Sequence, residues 1–360
     1  MGLVTGCSGD QHNSFSFSQS DASTPIINAI LRGEEGALFF VTFHETISNV
    51  YAFDDNGNQL SDGVLNPCSG YDLKELRGIY SANDFLYVVN GDKSTSNVLC
   101  FQGSGTSYSC VDAPFIAAGN PINHPFAMAF DGVGHAFVSN QDSNVVVTLD
   151  MPSNTKASLP TGWCDYLQLL YPGETFLNGT LAASAVSPLY KVPTTTAVPL
   201  ELGGLGASVD KDNQPQNSVR DVLYYSGNNG LLFVADEPTN IVRIYNPSTG
   251  QPLRCSGPVP GPTHLTIQGS TLYVSAGSQV FTSAIPNPYD PNDPVWVFKP
   301  LLSLAKGAAA GTAFDNSGKF YVANRTGNVV EVYDSNNNFA PVMTWPAFTD
   351  NPEFLLYMGE

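Results

Sequence analysis

The chain has 360 residues, 42% of them apolar, and its 33 Gly and 26 Pro fit many short strands joined by turns. Fourteen Lys and Arg stand against 32 Asp and Glu, a formal net charge of -18. Such a surface repels nucleic acid and anionic membrane, and no apolar run is long enough to span a bilayer, so neither is expected as a partner.

Residues 1–24 read as an N-terminal extension and 25–360 as one folded domain. "LVTGC" followed by Ser-Gly resembles the end of a bacterial lipoprotein signal with Cys7 as the lipidated residue, but the apolar core that should precede it is missing. A secreted or extracellular-surface protein is the preferred reading. Six Cys, an even number, allow up to three disulfides in an oxidising compartment. The sequons at Asn178 and Asn324 are compatible with that route. "NVLCFQGSGTSYSC" reads as a hairpin, which would pair Cys100 with Cys110; the pairing of Cys7, Cys68, Cys164 and Cys255 stays open.

In chain order, one short apolar phrase keeps returning. It is "FFVTF" from Phe39, "LYVVN" from Leu86, "AFVSN" from Ala136, "LFVAD" from Leu232, "LYVSA" from Leu272 and "FYVAN" from Phe320. The starts lie 47, 50, 96, 40 and 48 residues apart. The long interval holds "LAASA" from Leu181, which divides it into 45 and 51 and gives seven units. Each unit has a strand before this marker strand, a third strand after it and a weaker fourth. Four short antiparallel strands at a period in the forties predict an all-β, seven-bladed β-propeller. The turn "DDNGNQL", with Asp54, Asp55, Asn56 and Asn58, is superficially similar to a calcium loop. It lacks that loop's sixth-position Gly and closing Glu, and it reads as a hairpin turn. The C-terminal "NPEFLLYMG" has no marker strand after it and is expected beside "ALFFVTF"; "TPIINAIL", near the N-terminus, is a competing donor.

The phrases "VAD–PTN–VRIY" and "VAN–TGN–VEVY" resemble the NHL repeat. Asn49, Asn97, Asn144, Asn240 and Asn328 stand before the third strand, and Asp236, Asn90, Asn140 and Asn324 fill the Asp place. The units around Leu181 and Leu272 lack both markers. The resemblance implies a propeller similar to streptogramin-inactivating lyases, peptidyl-hydroxyglycine lyases, gluconolactonase-like hydrolases and pure binding modules. The fold does not choose among them.

Candidate site residues cluster where first strands begin and marker strands end. Arg77 and His264 take equivalent places in "ELRGIY" and "PTHLTI" and are the candidate catalytic pair. His124, Arg220, His44, Asp236 and Arg325 are candidate ligand contacts. Scarce cations in an acidic chain would focus positive potential and attract a carboxylate. Against this stands local pairing of these groups with carboxylates such as Glu75 and Asp221, and a loop-capping role for the marker Asp or Asn. The expected function is binding of a small molecule, carbohydrate or peptide at the mouth of the central channel, by a monomer. The alternative is β-elimination, with His or Tyr as base and Arg holding the carboxylate, or lactone or ester hydrolysis at that face. No cofactor is specified, although a divalent cation in the central channel is compatible with the residues.

Overall fold

The computed structural model describes residues 37–159 and 219–359, apart from gaps at 83–84, 112–114, 117–121, 123, 132–134, 142–144, 151–155, 249, 251 and 291–295. The chain divides into two units: unit 1 is Met1–Ala118 with Lys306–Glu360, and unit 2 is Gly119–Ala305.

Unit 1 opens with β1 (Phe39–Phe43), β2 (Tyr51–Phe53) and β3 (Gln59–Ser61), then a short β4 (Leu65–Asn66). Its next sheet is β5 (Leu76–Ala82), β6 (Phe85–Asn90), β7 (Asn97–Ser104) and β8 (Ser107–Cys110). Unit 2 holds three sheets. The first is β9 (Pro125–Phe130), β10 (His135–Asn140), β11 (Val145–Asp150) and β12 (Lys156–Leu159). The second is β13 (Val219–Tyr225), β14 (Leu231–Asp236), β15 (Ile241–Tyr245) and β16 (Pro252–Cys255). The third is β17 (Pro262–Gln268), β18 (Thr271–Ala276), β19 (Gln279–Ala284) and β20 (Lys299–Ser303). The chain then returns to unit 1 with β21 (Ala309–Phe314), β22 (Lys319–Asn324), β23 (Val329–Asp334) and β24 (Ala340–Thr344), and ends with β25 (Pro352–Tyr357).

Each sheet is an antiparallel blade whose strands neighbour one another in sequence order. Two exceptions carry information. The last strand, β25, completes the first blade by pairing with β1, Phe40 opposite Leu356 and Val41 opposite Leu355, as the apolar C-terminus predicts. The competing segment at 25–32 lies outside the described residues. The second exception is β4, which adds to β8 in parallel, Leu65 opposite Tyr108.

Marker strands β1 and β14 are buried at every residue, which explains their unbroken apolar phrases: neighbouring sheets cover both faces. In unit 2, Phe233, Val242, Ile244, Leu272, Val274 and Trp296 form one core. In unit 1, Phe39 packs its ring 4.2 Å from Tyr321 and 5.5 Å from Trp345. Each such side chain stabilises by roughly 1.5–3 kcal/mol on burial. The fourth strands β3, β20 and β24 sit at sheet edges and are largely exposed, and Pro300 and Pro341 are tolerated there.

The turn at Asp54 is a hairpin device. Asp54 Oδ1 accepts the Asn56 and Asn58 N–H groups at 2.9 and 2.8 Å. Gly57 has φ +79°, and a Cβ there would meet Trp345 Cγ at 2.4 Å, so only glycine fits. Asn240 and Asn328 also adopt left-handed backbone, φ 59° and 56°. Their carbonyls accept the Val259 and Phe348 N–H groups, fastening the third strand to the segment that leaves the blade.

The expected seven blades are corrected to six among the described residues. Strands β9 and β13 are immediate neighbours: Arg220 stacks 5.3 Å from the Phe126 ring centroid and reaches the Gln141 side chain. No blade stands between them. "LAASA" at 181–185 lies outside the described residues. No helix among those described is long and apolar enough to cross a membrane.

The expected Cys100–Cys110 bridge is also corrected. In the β7–β8 ladder Cys110 stands opposite Phe101, not Cys100. Side chains alternate faces, so Cys100 and Cys110 point away from each other. Cys110 bonds instead to Cys68, with Cα atoms 5.0 Å apart, because β4 lies alongside β8. Cys100 is in a disulfide too, and so is Cys255; neither bonds to Cys68 or Cys110.

Candidate binding site at the bulged first strands

The first strand of all six described blades starts with the same irregularity. One extra residue lies opposite the end of the marker strand, as between Leu76 and Ile79 against Asn90 and Val88, or Val219 and Val222 against Asp236 and Val234. Such a bulge re-aims the side chain it carries. The equivalent positions are Arg77, Phe126, Arg220, Thr263, Ala310 and Glu353. The expected equivalence of Arg77 and His264 is therefore off by one: Arg77 matches Arg220 and Thr263, and His264 already pairs with Ser275.

In unit 2 three blades contribute to one cluster. Arg220 Nε donates to Glu237 Oε2 at 2.7 Å, and its Nη1 donates to Gln141 Oε1. The guanidinium lies against Phe126, and the His264 ring is 5.2 Å from the same Phe126 ring. His264 is only 3% exposed and its Nδ1 is 3.1 Å from Thr263 Oγ1. Arg220 is 19% exposed, and its Nη2 has no hydrogen-bond partner among the described residues. His124 has φ 50° and accepts the Gln141 N–H on its carbonyl at 3.0 Å, so it fixes the strap that carries Gln141.

Asp221, beside Arg220, does not pair with it. Its carboxylate accepts the Val222 and Leu265 N–H groups, each at 2.8 Å. Burial pushes its carboxyl up to about 7, against the opposing pull of those two donors.

Asp236, expected as a ligand contact, is corrected to a core residue. It is fully buried and bonded to Arg243 Nε at 2.5 Å, while Arg243 Nη2 donates to Thr239 Oγ1. The sequence missed Arg243 because it reads as one polar break in an apolar strand.

In unit 1 Arg77 is buried, 3.2 Å from Glu75 Oε2 and 3.8 Å from Glu353 Oε2. Arg325 Nε stands 2.9 Å from that same Glu353 oxygen. Glu353, unmarked in the sequence, is thus the hub of this cluster. Its position inside an apolar C-terminal strand was the available signal. His44 follows β1; its N–H donates to Asn351 O at 3.0 Å and its ring lies 3.9 Å from Glu45. The expected field of uncompensated cations is corrected: each of these arginines has a carboxylate partner.

The marker residues fasten loops. Asn90 accepts the Lys74 N–H and donates to Asp72 O. Asn324 donates to Lys306 O and to Glu331 Oε1, and it is 3% exposed. A glycan on Asn324 would take one of these two donor hydrogens and has no room on a side chain this buried, so this sequon is closed in the folded chain. Among the described residues no group of three His, Cys, Asp or Glu is placed to hold a metal ion.

The fold is a β-propeller. No family model matches the chain, and no curated protein does. Solved structures do. A protein of unknown function from Bacteroides caccae shares 12% identity at TM-score 0.55, over 91% of this chain and all of that one. A chain of the nidogen/laminin complex shares 11% at 0.53, over 89% and 97%, and a protein from Lactobacillus plantarum 14% at 0.52, over 86% and 82%. These likenesses concern the fold alone.

Proposed function

We propose that this protein is a secreted or cell-surface binding propeller that takes a small molecule, carbohydrate or peptide at its bulged first strands, with Arg220 as the principal contact in unit 2. The observation that carries this reading is the clamped guanidinium. Glu237, Gln141 and Phe126 hold it from three sides, its Nη2 has no hydrogen-bond partner among the described residues, and the side chain is 19% exposed. A donor held in advance loses little freedom on binding. The Arg220–Glu237 pair has no net charge, which favours a ligand read by hydrogen bonds and aromatic contact. Burial of His264 and Arg77 weighs against the alternative of β-elimination or lactone hydrolysis with His264 as base. The Cys68–Cys110 disulfide supports an oxidising compartment. The left-handed Asn240 and Asn328 support the reading of the repeat as NHL-like.

The test is a glycan and peptide array probed with the parent and with Arg220→Met, which keeps the bulk and removes the donors. Ligands bound by the parent and lost by a folded Arg220→Met support the reading. An identical binding pattern for the two proteins refutes it.

A further inference from the structure

Unit 1 carries a second donor group that the Arg220 cluster does not involve. Arg325 leaves the end of β22, and its backbone is fixed: its N–H donates to Ala308 O at 2.8 Å. The preceding Asn324 ties down the neighbouring loop, donating to Lys306 O at 2.7 Å and accepting the Gly327 N–H at 3.0 Å. These bonds set the Lys306 and Arg325 backbones on adjoining loops at one end of the β21–β24 blade.

Glu353, 1% exposed, is 2.9 Å from Arg325 Nε and 3.8 Å from Arg77 Nη1, and Arg77 pairs more closely with Glu75, at 3.2 Å. The ion pair uses the Nε side of Arg325. Its two terminal amino groups have no hydrogen-bond partner among the described residues, and the side chain is 32% exposed. Lys306 is exposed and makes no ion pair among the described residues. Lys74 and Lys319, by contrast, are paired with Asp72 and Asp55. With its Nε beside a buried carboxylate, the Arg325 guanidinium keeps its two terminal amino groups as a planar fork, and such a fork matches a carboxylate with two parallel N–H···O bonds. The field of a chain of net charge -18 disfavours multiply charged anions and leaves singly charged ones as the better match.

We propose that Arg325 and Lys306 form an anion site for a small monocarboxylate ligand. Arg325 binds the carboxylate through its terminal amino groups, Lys306 adds a point charge, and Glu353 positions Arg325.

The experiment is a chemical-shift titration of the full chain at low ionic strength. The probes are sodium glucuronate, glucose as its neutral analogue and sulfate as a divalent anion. The expected result is saturable binding of glucuronate, none of glucose and weaker binding of sulfate. Arg325→Gln should weaken glucuronate about tenfold or more, as loss of a charge-assisted pair does. Lys306→Gln should weaken it severalfold. Lys319→Gln, which removes an unrelated cation, should leave it unchanged. Added salt should weaken it throughout. Absence of saturable glucuronate binding, equal binding of glucose, or full affinity in a folded Arg325→Gln overturns the proposal. If Arg325→Gln does not fold, the exposed Lys306→Gln decides, and unchanged affinity there overturns it. Since Arg325→Gln and Lys306→Gln leave the Arg220 cluster intact, failure of this site is separable from failure of the unit 2 site.

Discussion

Asp221 and Leu265 belong to different blades, yet the Asp221 carboxylate accepts the Leu265 N–H at 2.8 Å. The other carboxylate oxygen accepts the Val222 N–H, so one buried side chain stitches two bulged first strands, β13 and β17. Burial raises this carboxyl to about 7, above its ordinary value of 3.8. The sign follows: as pH rises, the unfolded chain loses this proton first while the folded chain keeps it. Stability from this group is therefore full below about pH 4 and falls as pH climbs to about 7, by roughly 4 kcal/mol in total. Thermal melts at pH 5 and 7.5 check this by comparing the parent with Asp221→Asn, which keeps Arg220 and His264 beside the site. The parent's Tm should drop more steeply with pH than the variant's. Parallel slopes would show that Asp221 does not titrate in this window.

The Cys68–Cys110 bridge closes a sequence separation of 42 residues. In the loop-entropy description, losing such a bridge costs about 4 kcal/mol, less any strain released. Cys68→Ser with Cys110→Ser should lower stability on that scale. Peptide mapping without reduction should recover Cys68 linked to Cys110; a Cys100–Cys110 peptide would contradict the ladder register.

The strands were legible in the sequence where the local pattern suffices. "FFVTF", "LFVAD" and "FYVAN" each lie within a marker strand, and the apolar C-terminus is β25. What was hidden depends on registers between strands and contacts between blades. An interval of 96 residues fits a missing blade or an insertion equally well, and only the contact of Arg220 with Gln141 decides. A hairpin suggests that Cys100 faces Cys110, but a one-residue offset turns the two to opposite faces. Of the site residues, the arginines were visible as rare cations. Their pairing with Glu353 and Glu237 was not, because periodicity says nothing about which distant carboxylate lies alongside.

Asp236 and Arg243 form an ion pair with both side chains fully buried. Removing one partner strands the other charge, so Asp236→Ala should cost about 3–5 kcal/mol. The double variant Asp236→Leu with Arg243→Met replaces the pair with apolar volume and should recover most of that loss. A double-mutant cycle by urea unfolding measures it. If Asp236→Ala unfolds at the parent's urea midpoint, the pair is not the core element its burial implies.

Glu353 ties the last strand of the chain to the rest of unit 1. It lies on β25, whose partner strand is β1, and it sits between Arg77 on β5 and Arg325 after β22. Three segments of sequence thus meet on one carboxylate that is 1% exposed. Replacing it by Ala takes a buried carboxylate away from the buried Arg77, whose other carboxylate neighbour, Glu75, is partly exposed. The cost should be about 3–5 kcal/mol, since a buried cation loses its interior partner. Glu353→Gln keeps the shape and hydrogen-bonding capacity but not the charge, and should cost less than Ala. Deleting residues 352–360 goes further: β1 loses its ladder partner along with the carboxylate and becomes the end strand of its sheet. The three variants should rank by melting temperature as Gln above Ala above the deletion. A deletion that melts with the parent would mean that β25 contributes nothing to the stability of the first blade, contrary to its pairing with β1.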